Sequence, residues 1–298
     1  MNAPSVPSEP QVPSDPGWLR LLARLPLPVW RAAGMLLGAL LYVGARARRR
    51  VVHTNLALCF PQASAAQRRR WAWQSFQYFA QALLDRVWLW HGPSELVARR
   101  VRLEGDWQSL RQAGPVLLFL PHFAGLDAAG TRLTQAIDRP WAAMYATQSR
   151  PWLDGWVRRG RQRFHAPRLI ARRDGVRALV RALRDGSATF VLPDMDLGWE
   201  SAVFVPLFGV PAATVTTLPR LAALTQAPVR TVAVTLETQG YRVRVEPPWT
   251  DFPSGDIARD TRRMNAVLEA LISGHPGQYH WLHRRFKTRP SGQPSVYG

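Results

Sequence analysis

Cysteine is nearly absent. Cys59 stands alone among 298 residues, which excludes an internal disulfide and leaves no thiolate cluster for a structural zinc site. Acidic residues are scarce beside basic ones, 20 against 39, and the formal charge is +19. Such a field suits nucleic acid, an acidic carrier protein, a phosphorylated substrate or an anionic leaflet, because it speeds encounter without specifying the partner. No uncharged apolar stretch reaches the roughly 20 residues of a bilayer-spanning helix. The run from Ala32 to Ala45 is closed by Arg46, Arg48, Arg49 and Arg50, and extending it back through Leu25 to Trp30 takes in Arg31. A tilted span, a re-entrant segment and an interfacial helix all fit that pattern. A Gly-x-Ser-x-Gly elbow is missing too, so no strand-to-helix serine nucleophile is indicated.

What is present begins with 47% hydrophobic residues and thirteen tryptophans, enough for a sizeable core with aromatic residues left over for an apolar–aqueous boundary. Residues 1–17 are rich in Pro and Ser and are expected to form a disordered leader. Residues 18–50 read as a membrane anchor, and residues 51–298 as one domain. Ala45-Arg46-Ala47 resembles a signal-peptide cleavage site, but the arginines after the apolar run oppose translocation and favour the cytoplasmic side for the bulk of the chain.

Spacing of three to four between Trp73, Phe76, Phe79, Leu83, Val87 and Trp90 predicts an amphipathic helix over residues 64–90, ended by Gly92-Pro93. Pro115–Leu120 and Ala188–Leu192 are short apolar runs that read as buried strands. Helices are expected over 174–184 and 256–273, and a strand pair over 229–236 and 241–245. Strand and helix signals in alternation predict an α/β fold, with a largely parallel central sheet flanked by helices and an N-terminal membrane-anchoring helix.

The sharpest motif is Leu118-Phe-Leu-Pro-His122-Phe-Ala-Gly-Leu-Asp127, a buried strand leading into a His-x4-Asp spacing. Residues just past the carboxyl end of a parallel strand face the crevice where α/β proteins bind ligands. A histidine there can act as a general base near neutral pH, and a carboxylate can accept its other N–H and fix the tautomer. The pair is expected to deprotonate a substrate hydroxyl, which then attacks an acyl thioester with no enzyme nucleophile. The spacing alone also describes a histidine satisfied at a helix start. His275, His280 and His283 lie near one another in sequence but have no neighbouring carboxylate or thiolate to complete a metal site, so none is expected. The stretch from Arg284 to Lys287 reads as a phosphate or headgroup contact, or as a solvated terminus.

Five blocks in order extend the pattern: Pro121-His122-Phe123 to Asp127; Pro151-Trp-Leu-Asp154 with Arg158-Arg159-Gly-Arg161-Gln-Arg163; and Pro193-Asp194-Met-Asp196-Leu-Gly198. Val203 to Gly209 with Ala212-Ala-Thr214 follows, and then Gln278-Tyr-His-Trp281-Leu-His283-Arg-Arg-Phe-Lys287-Thr-Arg-Pro290. In these blocks, from about Leu25 to Tyr297, the chain resembles the bacterial lipid A biosynthesis acyltransferases of the late, lauroyl and myristoyl type, within the lysophospholipid acyltransferase superfamily. The resemblance implies His122 as base and Asp127 as its orienting acid. Arg161 and Asp194 match further functional positions, with Arg158, Arg159 and Arg163 as neighbouring substrate-contact candidates. It implies acyl carrier protein as acyl donor and partner, no cofactor, an anionic phosphorylated glycolipid similar to Kdo-lipid IVA as acceptor, and a place at the cytoplasmic face of the inner membrane. Two departures stand out. Tyr145 to Pro151 lacks the Tyr-Arg-Pro and Asn-Pro dipeptides of many relatives, and Asp127 replaces the Glu of some.

Three rivals are weighed against this reading. A basic nucleic-acid-binding protein fits the charge, but no reader motif appears and the arginines follow an apolar segment, so no nucleic acid is expected. A glycerol-phosphate acyltransferase would share His-x4-Asp, but its Phe-Pro-Glu-Gly block is absent. A membrane scaffold needs neither His122 nor Asp127.

Overall fold

The computed structural model describes residues 16–171, 174–200 and 202–298, so the expected leader falls outside the described residues as far as residue 15. The segment read as one anchor is three helices: α1 (Gly17–Leu22), α2 (Leu27–Gly44) and α3 (Arg46–Cys59). Pro26 and Pro28 flank the first residue of α2, where a missing N–H costs nothing. The expected boundary between residues 50 and 51 lies inside α3. The next helix, α4 (Ala65–His91), opens with a reciprocal cap in which Ser64 Oγ accepts the Gln67 N–H and Gln67 Oε1 accepts the Ser64 N–H.

Helices and strands then alternate: α5 (Ser94–Arg100), β1 (Val101–Gly105), β2 (Val116–Phe119), α6 (Leu126–Ala136), β3 (Trp141–Tyr145), α7 (Pro151–Arg161) and β4 (Arg168–Ala171). After these come α8 (Gly175–Arg184), β5 (Ala188–Val191), β6 (Ala202–Leu207), β7 (Val210–Val215), α9 (Thr217–Thr225), β8 (Val229–Glu237), β9 (Gly240–Pro248) and α10 (Ile257–Gly274). Seven strands form one sheet in the order β1-β9-β8-β2-β5-β3-β4, while β6 and β7 form a separate hairpin. Every pairing in the large sheet is parallel except β8 with β9. Their turn is at Gly240, where φ is +135° and an added Cβ would lie 1.9 Å from the Arg100 carbonyl oxygen.

All four residues of β2 and of β5 are buried, as strands covered on both faces must be. Phe76 of α4 and Phe119 of β2 are fully buried in the same core, and burial of one such side chain stabilises by roughly 1.5–3 kcal/mol. Beyond α10 the chain forms no further helix or strand, yet Trp281, Arg285 and Phe286 are buried. Arg285 donates from Nη1 to the Ala213 carbonyl and from Nη2 to Thr214 Oγ1, 2.8 Å each. The reading of this residue as a headgroup contact or a solvated terminus is therefore corrected: it ties the C-terminal segment to β7. Arg284 instead lies over the Tyr297 ring.

Candidate active site

Strands β2 and β5 are in register, with Phe119 opposite Val191. Three residues beyond that pair, His122 and Asp194 leave the sheet side by side. Asp194 Oδ2 accepts the His122 backbone N–H at 2.9 Å, and Oδ1 is 2.8 Å from Nδ1 of the ring. That contact assigns the Nδ1 proton to the carboxylate side and leaves Nε2 facing the cleft as the acceptor nitrogen. Burial alone favours neutral forms for both groups. The pair's mutual attraction and hydrogen bonds outweigh it, holding Asp194 down at about 2 and raising His122 above the ordinary histidine value.

The sequence reading makes Asp127 the carboxylate that orients His122, but in the structure the hydrogen-bond partner of the ring is Asp194. Asp127 lies in the first turn of α6, and its two oxygens are taken by two guanidiniums: Arg86 Nε of α4 at 2.8 Å and Arg161 Nε of α7 at 2.9 Å. Burial pushes its pKa up, but the two arginines overcome this and bring it to about 2. Arg161 reaches Asp127 because Gly160 lets α7 press on α4. A Cβ at Gly160 would lie 2.1 Å from the Trp90 indole.

Around these groups is a cleft of about 490 Å³. It is lined by Phe79, Leu83 and Arg86 of α4, by Tyr145, Ala146 and Gln148, and by Pro193, Met195 and Leu197, with His122, Asp127, Arg161 and His280 as polar groups. A smaller apolar chamber of about 70 Å³ adjoins it, sharing Leu126, Asp127, Met144, Arg161, Phe190 and Leu192 and continuing past Gly130, Thr131 and Thr134.

The other sequence candidates separate. Arg158 contacts the Tyr145 ring and hydroxyl, and Arg159 is half-buried on α7. Arg163 donates to the carbonyls of Leu89 and Gly92, closing the C-terminal end of α4. None of these three lines the cleft, whereas Arg161 does. His283 Nε2 accepts the Asp196 N–H, and Asp196 in turn accepts from the Thr288 N–H and hydroxyl. In this way the C-terminal segment braces the loop that carries Asp194.

Two contributors were missed by sequence reasoning. Arg86 sits in the apolar stripe of α4, between Leu83 and Trp90, and a charge in such a stripe is a usable signal. His280 enters the sequence pattern only as a possible metal ligand. Its ring centroid is 6.4 Å from that of His122, and its N–H donates to the His122 carbonyl. Burial first, and then the charges of His122 and His283, bring its pKa to about 4.

A histidine–carboxylate pair beyond neighbouring parallel strands, in an apolar-walled cleft that also holds a guanidinium, is an arrangement that can carry out acid–base chemistry beside an apolar ligand. Residues 16–288 match the bacterial lipid A biosynthesis acyltransferase family. The chain is 33% identical to the lipid A biosynthesis lauroyltransferase of Escherichia coli (strain K12), over 94% of this chain and 92% of that protein. It is 32% identical to the palmitoleoyltransferase of the same organism over the same shares, and 31% identical to its myristoyltransferase over 91% and 83%. The chain belongs to the lipid A biosynthesis acyltransferase family.

Proposed function

We propose that this chain, working on the inner membrane with its cleft on the cytoplasmic side, moves a fatty acyl group from an acyl carrier protein thioester to a hydroxyl of a phosphorylated, Kdo-lipid IVA-like lipid A precursor. The observation that carries this reading is the His122–Asp194 pair, with the open ring nitrogen facing the cleft. Nε2 takes the proton of the acceptor hydroxyl as its oxygen attacks the thioester carbonyl. The new C–O bond pushes an electron pair onto the carbonyl oxygen. That pair returns as the C–S bond breaks, and the departing thiolate takes the proton from the imidazolium. Asp194 holds the ring and balances its transient charge. Asp127 acts through Arg161 and Arg86, keeping a guanidinium aimed at the developing oxyanion or at an acceptor phosphate. The adjoining chamber receives the acyl tail.

The test pairs lipid analysis with one substitution. Lipid A from cells with and without the chain, compared by mass spectrometry, should differ by a single acyl chain, which gives donor length and position together. A Cβ at Gly130 meets nothing within 4 Å, so Gly130→Leu should fill the chamber without disturbing α6 and shift transfer toward shorter chains. Unaltered lipid A would overturn the function. An unchanged chain length in the variant would overturn the assignment of the chamber.

A further inference from the structure

The apolar run from Ala32 to Ala45 left open whether it spans a bilayer or lies in its surface. The helix that contains it, α2, is long and apolar enough to cross a membrane by length and composition, but it does not stand free of the domain. It runs antiparallel along α4, with Arg31 beside Asp85, Gly34 against Gln81, Gly38 against Gln77, and Tyr42 edge-on to Trp73 and Phe76. At Gly34 and Gly38 an added Cβ would lie 2.8 Å from the Cα of Gln81 and of Gln77. One end is fixed by a buried charge network. Asp85 is fully buried and accepts from Arg31, from the Tyr241 hydroxyl and from Trp88 Nε1.

The opposite face of α2 is of another kind. Every exposed residue between Leu27 and Gly44 is apolar, Val29, Met35, Leu36, Leu40 and Val43 among them. Trp18, Leu21 and Leu22 of α1 are exposed as well. Exposed arginines flank both ends, Arg20 and Arg24 before the helix and Arg46, Arg48 and Arg50 after it.

We propose that α1 and α2 lie in the plane of a single anionic leaflet, with their outward face in the acyl chains and the arginines at both ends on headgroups of that same leaflet. This rests on the membrane placement proposed above and fixes its geometry. A spanning α2 would carry α4 with it across the hydrocarbon. On its side turned away from α2, α4 bears Arg86, which holds Asp127 at the cleft, so the reaction centre and its charges would sit at membrane depth. Arginines at both ends give a spanning helix no preferred sidedness, but an in-plane helix satisfies both groups at once.

Gly17 and Gly44 flank the apolar segment, and at each an added Cβ meets nothing within 4 Å. The test places Gly17→Cys and Gly44→Cys, one at a time, in the full chain bound to preformed vesicles of phosphatidylethanolamine and phosphatidylglycerol. Cys59 is buried, which also raises its thiol pKa, and it stays silent. A membrane-impermeant maleimide added outside should label both positions equally, with no gain on adding detergent. Spin labels at Val29, Leu36 and Val43, in Val29→Cys, Leu36→Cys and Val43→Cys, should report one common depth. Labelling of only one end before detergent, with Leu36 deepest, would overturn the in-plane arrangement and leave the acyltransferase reading intact. Failure of the chain to bind these vesicles would overturn both the arrangement and the membrane placement beneath it.

Discussion

Two carboxylates serve the same cleft, Asp194 fully buried and Asp127 half-buried, and they are held in different ways. Asp194, at the strand ends, faces a partner that titrates, whereas Asp127, where three helices meet, faces two partners that do not. Both are drawn to about 2 against the cost of burial. The strand-end pair can therefore change charge during a reaction cycle, while the helix-junction triad is a fixed charge arrangement that positions donors. Adjacency in sequence pointed to Asp127 as the partner of His122. Adjacency in the sheet makes it Asp194.

The hardest blow to this contrast is removal of the proposed base. His122→Ala should lower turnover by roughly 10²–10⁴-fold, the usual contribution of a positioned general base, and because it leaves the fully buried Asp194 without its partner it should also lower the unfolding temperature, so turnover is compared below that temperature. Turnover close to the parent's would exclude the base role. Loss of the fixed triad should appear chiefly in stability. Asp127→Ala leaves two guanidiniums without their shared carboxylate, and breaking a buried ion pair costs about 3–5 kcal/mol. Denaturant unfolding of that variant should fall by an amount of this order, and no loss would mean that solvent already screens the triad.

Acid should act on the same triad. Because the folded pKa of Asp127 is depressed, its contribution is present above the ordinary carboxylate value and is lost as pH falls from about 4 toward about 2. Unfolding followed across that window should show a smaller drop in Asp127→Asn than in the parent. An equal drop would assign the acid sensitivity elsewhere. The finest distinction lies in the pH profile. As the proposed base, His122 works in its neutral form, and Asp194 raises its pKa, so Asp194→Asn should move the acidic limb of kcat/KM to lower pH. Asp127 is a weaker contributor to His122, so Asp127→Asn should move the limb less. The reverse order would return the orienting role to Asp127.

The sequence was most legible where a local pattern suffices. The apolar runs at 116–119 and 188–191 could be little but buried strands, and the stripe on α4 could be little but a packed helix. Strand β3, with two alanines in five residues, and the four-residue β4 carry too weak a pattern to stand out. At the site, His122, Arg161 and Asp194 were found by motif, but the pairing was not, because it depends on the register of two strands whose paired residues are 72 positions apart. Arg86 was hidden by the helix it belongs to. For α2, an apolar run reads alike whether its inner face meets lipid or another helix, and only the contact with α4 separates the two.

The charge network that joins Arg31 to Asp85 and Tyr241 also bears on how the chain is made. Its members come from the first long helix, from α4 and from β9 near the end of the domain, so α2 and α4 can pair as a helical hairpin while the sheet is still being synthesised. Tyr241 then closes the network when β9 arrives. A chain begun after Ala45 lacks Arg31 and must fold with the buried Asp85 held only by the Tyr241 hydroxyl and the Trp88 indole, without its guanidinium partner. Such a truncation is expected to yield an aggregating chain in place of a released, soluble enzyme, because the N-terminal helices complete the core of the domain.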